Sequence, residues 1–310
     1  MARTDGKCYV PIHCRRVLFP NTLEELVASI EHLYGLPRWM GRALVRHMPV
    51  LNLHRRLELR LLKAWLGDSR ERKVLDLGCG RIPYAMKLPW NSVLAMDMSV
   101  EALGAAERLT EYLELDGTFS YVVGSATEIP LEGDSVEGVV CNCVLEHVVE
   151  DRLALEEMHR VLEPSGFLFL SVDCDERRVA LEWVERLPAW AKRSLAHDWV
   201  TSADDDLGQR LRDDLDHRYE VVRRYSAQAL RRALEEAGFE VVKSSYYLVG
   251  LGAAIHEAAH MFKFMDVDDG LSRMIYWLVS LFTYPLVILG EDGTGKGHGL
   301  AFFAVKKAEV

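Results

Sequence analysis

Val74-Leu75-Asp76-Leu77-Gly78-Cys79-Gly80 decides the fold class of this chain. A short apolar run with an acid inside it stops abruptly at two glycines one residue apart. A glycine turn directly after a strand lets backbone N–H groups approach a ligand where a Cβ would collide. The next apolar run, at residues 93–96, ends in Asp97, an acid placed to bind both hydroxyls of a ribose. Further short runs follow at residues 121–123, 136–141 and 167–172, separated by stretches with helical spacing. Strands alternating with helices predict a parallel sheet built from crossovers.

The glycine turn alone leaves its ligand open. A nicotinamide dinucleotide site also combines a glycine turn with a ribose-binding acid, but its fingerprint is GxGxxG. Here Pro83 stands at the third glycine position.

Upstream, Leu23, Leu26, Val27 and Ile30 recur at helical spacing behind Asn21 and Thr22, and Leu57, Leu61, Leu62 and Trp65 repeat the pattern before Gly67. Residues 22–66 are therefore expected to be helical. Downstream, a helix is expected over 151–163, with Leu155, Met158 and Leu162 on one face and Pro164-Ser165-Gly166 ending it. Ser226 is expected to cap a helix bearing Leu230, Ala233, Leu234 and Ala237, with Gly238 as its stop and a strand from Phe239. A last strand spans 299–305. This pattern divides the chain into a helical N-terminal cap (1–70), a cofactor-binding core (71–175), a helical insertion (176–225), a core helix and strand (226–248), an apolar helical insertion (249–298) and a final strand with a charged tail (299–310). Insertions this long inside a compact domain usually carry function.

The chain has 310 residues, a net charge of −10 and 49% hydrophobic residues. That suffices for a large core and argues against a general nucleic-acid binder, which needs clustered Lys and Arg. One stretch departs from the average: Arg38, Arg42, Arg46, Arg55, Arg56, Arg60 and Lys63 face a single acid, Glu58. The six cysteines (Cys8, Cys14, Cys79, Cys141, Cys143 and Cys174) form no CxxC pair, so reduced thiols and a cytoplasmic location are expected. Residues 274–289 carry no charge, but the run is shorter than the ~20 residues of a spanning helix, and Pro285 interrupts it. A buried or interfacial helix is expected there.

From Lys73 to Cys174 the chain resembles the class I S-adenosylmethionine-dependent methyltransferases. VLDLGCG is similar to that family's first motif, and LAMDMS to its second strand with the ribose-binding acid. VVGSATEIPLEGDSVEGVVCNCVLEHV covers the third and fourth strands, and EEMHRVLEPSGFLFLSV the helix-to-strand turn before the fifth. The resemblance extends more loosely through residues 223–242 and the last strand. It implies a doubly wound, mostly parallel, seven-stranded Rossmann-like α/β sheet with S-adenosyl-L-methionine as cofactor. By position it also implies that the Gly78-Cys79-Gly80 turn packs against the methionine and ribose parts and that Asp76 orients that turn near the methionine amino group. Asp97 would take the ribose hydroxyls, Met98 would lie against the adenine, Ser125 and Ala126 would border its edge, and Asn142 would offer its backbone to the amino group. Two positions depart from the pattern. Ile82 stands where the family usually has glycine, and Ser125 stands where an acid often contacts the adenine amino group.

Methyl transfer from a sulfonium is an in-line displacement that needs positioning in a dry site, and a base only if the acceptor must lose a proton. His147 and Glu146 follow the fourth strand. His217, Tyr219 and Tyr225 belong to DHRYEVVRRYS, which resembles an element some of these enzymes place over the substrate. His217, Tyr225 and His147 are the catalytic candidates, against the plainer reading of His217 as a surface histidine beside Asp216. His256-Glu257-Ala258-Ala259-His260 has the spacing of a zinc-binding helix, but no third ligand is evident, so no metal is expected. The composition of 249–298 suits a lipophilic acceptor such as a quinone, isoprenoid, lipid or natural product, a membrane surface approached together with the basic stretch, or a second copy of the chain. The alternatives are a methyltransferase acting on protein or RNA, or a metal-assisted one using the HEAAH segment.

Overall fold

The computed structural model describes residues 39, 53–67, 72–115, 118–174, 220–250, 252–254, 283, 287–288 and 296–307. Seven strands form one sheet: β1 (Lys73–Leu77), β2 (Ser92–Asp97), β3 (Phe119–Val123), β4 (Val136–Asn142), β5 (Leu162–Asp173), β6 (Phe239–Tyr247) and β7 (Gly299–Lys306). Their order is β3-β2-β1-β4-β5-β7-β6. The five strands from β3 to β5 run parallel, and β7 is antiparallel to both β5 and β6. The order reverses between β1 and β4, which opens a crevice at their carboxyl ends.

Alternation along the strands sends side chains to two cores. Leu75, Leu77, Leu168, Leu170 and Phe302 pack with Leu155 and Met158 of α3 (Asp151–Val161) and with Leu230 and Leu234 of α4 (Ala227–Glu236). Val74, Val140, Phe167, Phe169 and Ala301 point the other way, onto Leu57 and Leu62 of α1 (Leu53–Leu66). Leu103 of α2 (Val100–Tyr112) packs with Cys79 and Ala95.

The Ser226 cap and the Gly238 stop fall where the sequence places them, and a Ser99 cap joins them. Ser99 and Ser226 cap α2 and α4, their hydroxyls accepting from the N–H groups of Ala102 and Ala229. Gly238 ends the α4 segment with φ +95°, and a Cβ there would meet the His159 ring at 2.8 Å. One boundary is corrected. The third helix stops at Val161 and not at Glu163, because Leu162 is already extended and pairs with Val136. Pro164-Ser165-Gly166 therefore forms an irregularity within β5, with Ser165 at φ +66°, before Phe167 pairs with Gly138.

Both long connections leave and rejoin the sheet at paired positions. Cys174, just past β5, bridges Tyr225, so the segment between them returns to its point of departure. Tyr247 at the end of β6 faces Gly299 at the start of β7, where a Cβ would meet the Tyr247 ring at 2.1 Å. A hairpin could have joined these two residues; the apolar stretch is inserted instead. Residues 255–282, including His256 and His260, lie outside the described residues, as do most of the N-terminal cap and His217. Among the described residues no helix is long and apolar enough to cross a membrane. Cys79, Cys141, Cys143 and Cys174 are free thiols.

Gly138 gives a direct check on the sheet. A Cβ at that position would lie 2.2 Å from the Phe167 ring, which stacks on Phe303. Gly138→Ala is expected to lower stability by about 1–3 kcal/mol through overpacking, read as a shift of the urea midpoint at unchanged slope.

Candidate functional site at the carboxyl edge of the sheet

The turn after β1 is fastened to the end of β2. The N–H groups of Gly78 and Cys79 both donate to Met96 O, at 2.8 and 3.0 Å, and Gly80 N–H donates to Asp97 Oδ2 at 2.9 Å. Asp97 Oδ1 accepts from Ser99 N–H, which fixes the carboxylate at the start of α2. Gly78 and Gly80 have φ +70° and +60°, a region glycine enters without penalty. A Cβ on Gly78 would lie 2.3 Å from Val144, whereas Gly80 borders open space. Asp76 is buried and accepts from Ala85 N–H at 2.9 Å. Burial pushes its carboxyl up to about 6, against the N–H groups of Tyr84 and Ala85 and the nearby Arg55 guanidinium.

The other positions matched by sequence lie along the same edge. Met98 is 74% exposed just past β2, an unusual position for a large apolar side chain. Ser125 and its neighbours Val123, Gly124, Ile129 and Pro130 line an open groove after β3. Ala126 is buried beside that groove, in the core that also holds Met96 and Ile129. Asn142 is buried at the end of β4, its Oδ1 accepting from the Ser171 hydroxyl at 3.1 Å.

Two of the catalytic candidates have other attachments. The Tyr225 hydroxyl donates to Asp151 Oδ2 at 2.7 Å, and Arg223 pairs with the same carboxylate. Burial, with Asp151 adding to it, pushes the Tyr225 phenol well up. His147 is exposed, with Nδ1 3.2 Å from Glu220 O. Glu146, its neighbour, is buried. Its Oε1 accepts from Asp173 N–H at 3.4 Å, and Oε2 has no partner among the described residues.

A second polar cluster was not anticipated from the sequence. Glu58, the one acid of the basic stretch, is fully buried on α1. Its Oε1 accepts from the Ser171 hydroxyl, from the Tyr247 hydroxyl at 3.0 Å and from the Cys143 thiol at 3.5 Å, and lies 3.4 Å from His54 Nε2. The Tyr247 hydroxyl and Cys143 Sγ lie 2.5 and 3.5 Å from the same His54 nitrogen. Asp173 stands close by, paired with Arg224 at 3.3 Å and 3.9 Å from His298 Nε2. Although burial opposes it, His54 and Arg55 hold Glu58 down at about 2, and Glu58 in turn raises His54. Burial pushes the Cys143 thiol well up, with Glu58, Glu146 and Asp173 adding to it. Cys143 has φ +51°, uncommon for a residue with a side chain. The available signal was His54 and Glu58 at i and i+4, one face of a helix. The same packing turns Arg55 inward over the Tyr84 ring, so only Arg60 and Lys63 of this helix's basic residues stand exposed.

Residues 75–170 match the family described as a methyltransferase domain. This chain is a methyltransferase of the Rossmann-like α/β fold. The demethylmenaquinone methyltransferase of Staphylococcus aureus strain JH9 is 26% identical over 206 residues, covering 62% of this chain and 77% of that protein. Among solved structures, the cyclase SpnF shares the fold with a TM-score of 0.53 at 16% identity, covering 82% of each chain. The phosphoethanolamine N-methyltransferase 2 of Haemonchus contortus, solved with S-adenosyl-L-methionine, has a TM-score of 0.52 at 15% identity. That match covers 82% of this chain and 53% of the other.

Glu146 is expected to make folding stability depend on pH. Burial, then the neighbouring Asp173, pushes its carboxyl up to about 8. The folded protein keeps it protonated where the unfolded chain ionises it, so its contribution is full at acid pH and is lost as pH rises toward about 8. Glu146→Gln is expected to flatten this fall; urea midpoints across that range measure it, and an unchanged slope would exonerate Glu146.

Proposed function

We propose that this methyltransferase acts on a small lipophilic acceptor of the quinone, isoprenoid or apolar natural-product kind. The observation that carries the reading is the curated relative named for demethylmenaquinone, matched over 206 residues. The uncharged run at 274–289 supports it, since an apolar acceptor needs an apolar pocket. A peripheral membrane contact belongs to the same reading, because a lipophilic acceptor partitions into bilayers.

When bound, the cofactor supplies an electrophilic methyl group on a sulfonium. The residues at the carboxyl edge suit its parts. Asp97 has lone pairs left for ribose hydroxyls, and Met98 offers an exposed thioether to an adenine face. Ser125 and Ala126 border the groove on that side. Asp76 is a buried carboxyl whose ionisation a methionine ammonium would favour. Gly80 leaves open space at the turn, and Gly78 lets Val144, which follows Asn142 and Cys143, approach it closely. With a hydroxyl opposite the adenine edge and no acid, Ser125 provides a weaker contact to the amino group than most of the family makes.

Two measurements test this. Asp97→Ala is expected to weaken S-adenosyl-L-methionine binding in calorimetry by more than about tenfold, the scale of a lost charge-assisted pair of hydrogen bonds. Incubation with the labelled cofactor and either reduced demethylmenaquinone in detergent or polar amines such as phosphoethanolamine is expected to label the quinol. Transfer to the amines with none to the quinol would overturn the lipophilic reading.

A further inference from the structure

The cluster under α1 brings nitrogen, sulfur and oxygen donors together at the spacing of a coordination shell. His54 Nε2 and Glu58 Oε1 are 3.4 Å apart, and Cys143 Sγ is 3.5 Å from each of them. Tetrahedral zinc, with bonds of about 2.0–2.1 Å to nitrogen and oxygen and about 2.3 Å to sulfur, separates its ligands by about 3.4 Å for N–O and about 3.6 Å for pairs with sulfur. An oxygen of Asp173 joins the set, within 4.8 Å of both the His54 and Cys143 donor atoms. Hydrogen bonds alone do not satisfy the cluster, for the buried Glu58 Oε2 has no partner among the described residues.

We propose that His54, Glu58 and Cys143 form a binding site for a divalent cation of the zinc class, with Asp173 beside the fourth position. The mixed donor set selects such an ion over magnesium or calcium, which take oxygen shells. The supporting groups are of the kind such sites need: the Ser171 hydroxyl donates to Glu58, and Arg224 and His298 attend Asp173. The ion takes the place of the Tyr247 hydroxyl on His54 Nε2 and of the protons on Cys143 and His54, so binding releases protons and tightens as pH rises. Asn142 and Cys143 also adjoin the glycine turn, through Val144 against Gly78. An ion here is therefore within the methyl-transfer region, and its open position suits water or the hydroxyl or thiol of an acceptor. The site does not depend on the acceptor being lipophilic.

Purified full-length protein, stripped with chelator and titrated with cobalt(II), is expected to bind one ion per chain and to show a near-ultraviolet thiolate-to-cobalt absorption band. Zinc is expected to displace the cobalt. Cys143→Ser should remove the band and His54→Ala the tight binding, while His256→Ala/His260→Ala leaves both intact. Circular dichroism and S-adenosyl-L-methionine binding verify that each variant is folded. Absence of tight binding in the parent protein overturns the proposal, as does a band retained in folded Cys143→Ser. So does loss of the ion in the His256/His260 variant alone, which would assign it to the HEAAH segment.

Discussion

Everything at the carboxyl edge depends on how the chain turns after β1. Three successive N–H groups, from Gly78, Cys79 and Gly80, close onto the last two residues of β2, two of them on one carbonyl and the third on the Asp97 carboxylate. The turn is thus held by its neighbouring strand. Val144 lies where a Cβ on Gly78 would be, so the loop after β4 can approach only because that position is glycine. One left-handed residue sets the distance between the β1 and β4 loops, which flank the crevice opened where the strand order reverses.

The second determinant is electrostatic. Glu58, Glu146 and Asp173 are acids gathered at the ends of β4 and β5, with Cys143 among them. Desolvating so many acids together is costly unless they are paired or neutral. The chain uses both solutions. Glu58 stays ionised against His54 and Arg55, Asp173 pairs with Arg224, and Glu146 retains its proton. A methyltransferase that only needed to hold two reactants together could line this region with apolar groups. Retaining four polar contacts on one buried carboxylate oxygen concentrates polarity at the carboxyl ends of β4 and β5.

Much of the core was legible in sequence because its signals are local. Apolar runs of strand length, Ser226 as a cap, Gly238 as a stop and Asp97 at a strand end each act within a few residues. The boundary at Val161 was missed because it is set by a distant partner: Leu162 is drawn out of the helix to pair with Val136. Tyr225 illustrates the converse. Its sequence neighbourhood resembles a substrate-facing element, yet its hydroxyl meets Asp151, a pairing fixed by how the returning segment bridges Cys174.

By itself the sequence determined the fold class and the parallel run of strands, because periodicity and turn chemistry report directly on backbone geometry, while the cofactor was implied only by the resemblance of the ordered motifs. Only the tertiary structure decided which polar residues share a site. Glu58 looked like a stray acid in a basic helix, Cys143 like one thiol among six, and Tyr247 like a strand residue. They meet because α1 lies across β5, β7 and β6, and contacts separated by 85 and 189 positions leave no periodic trace along the chain.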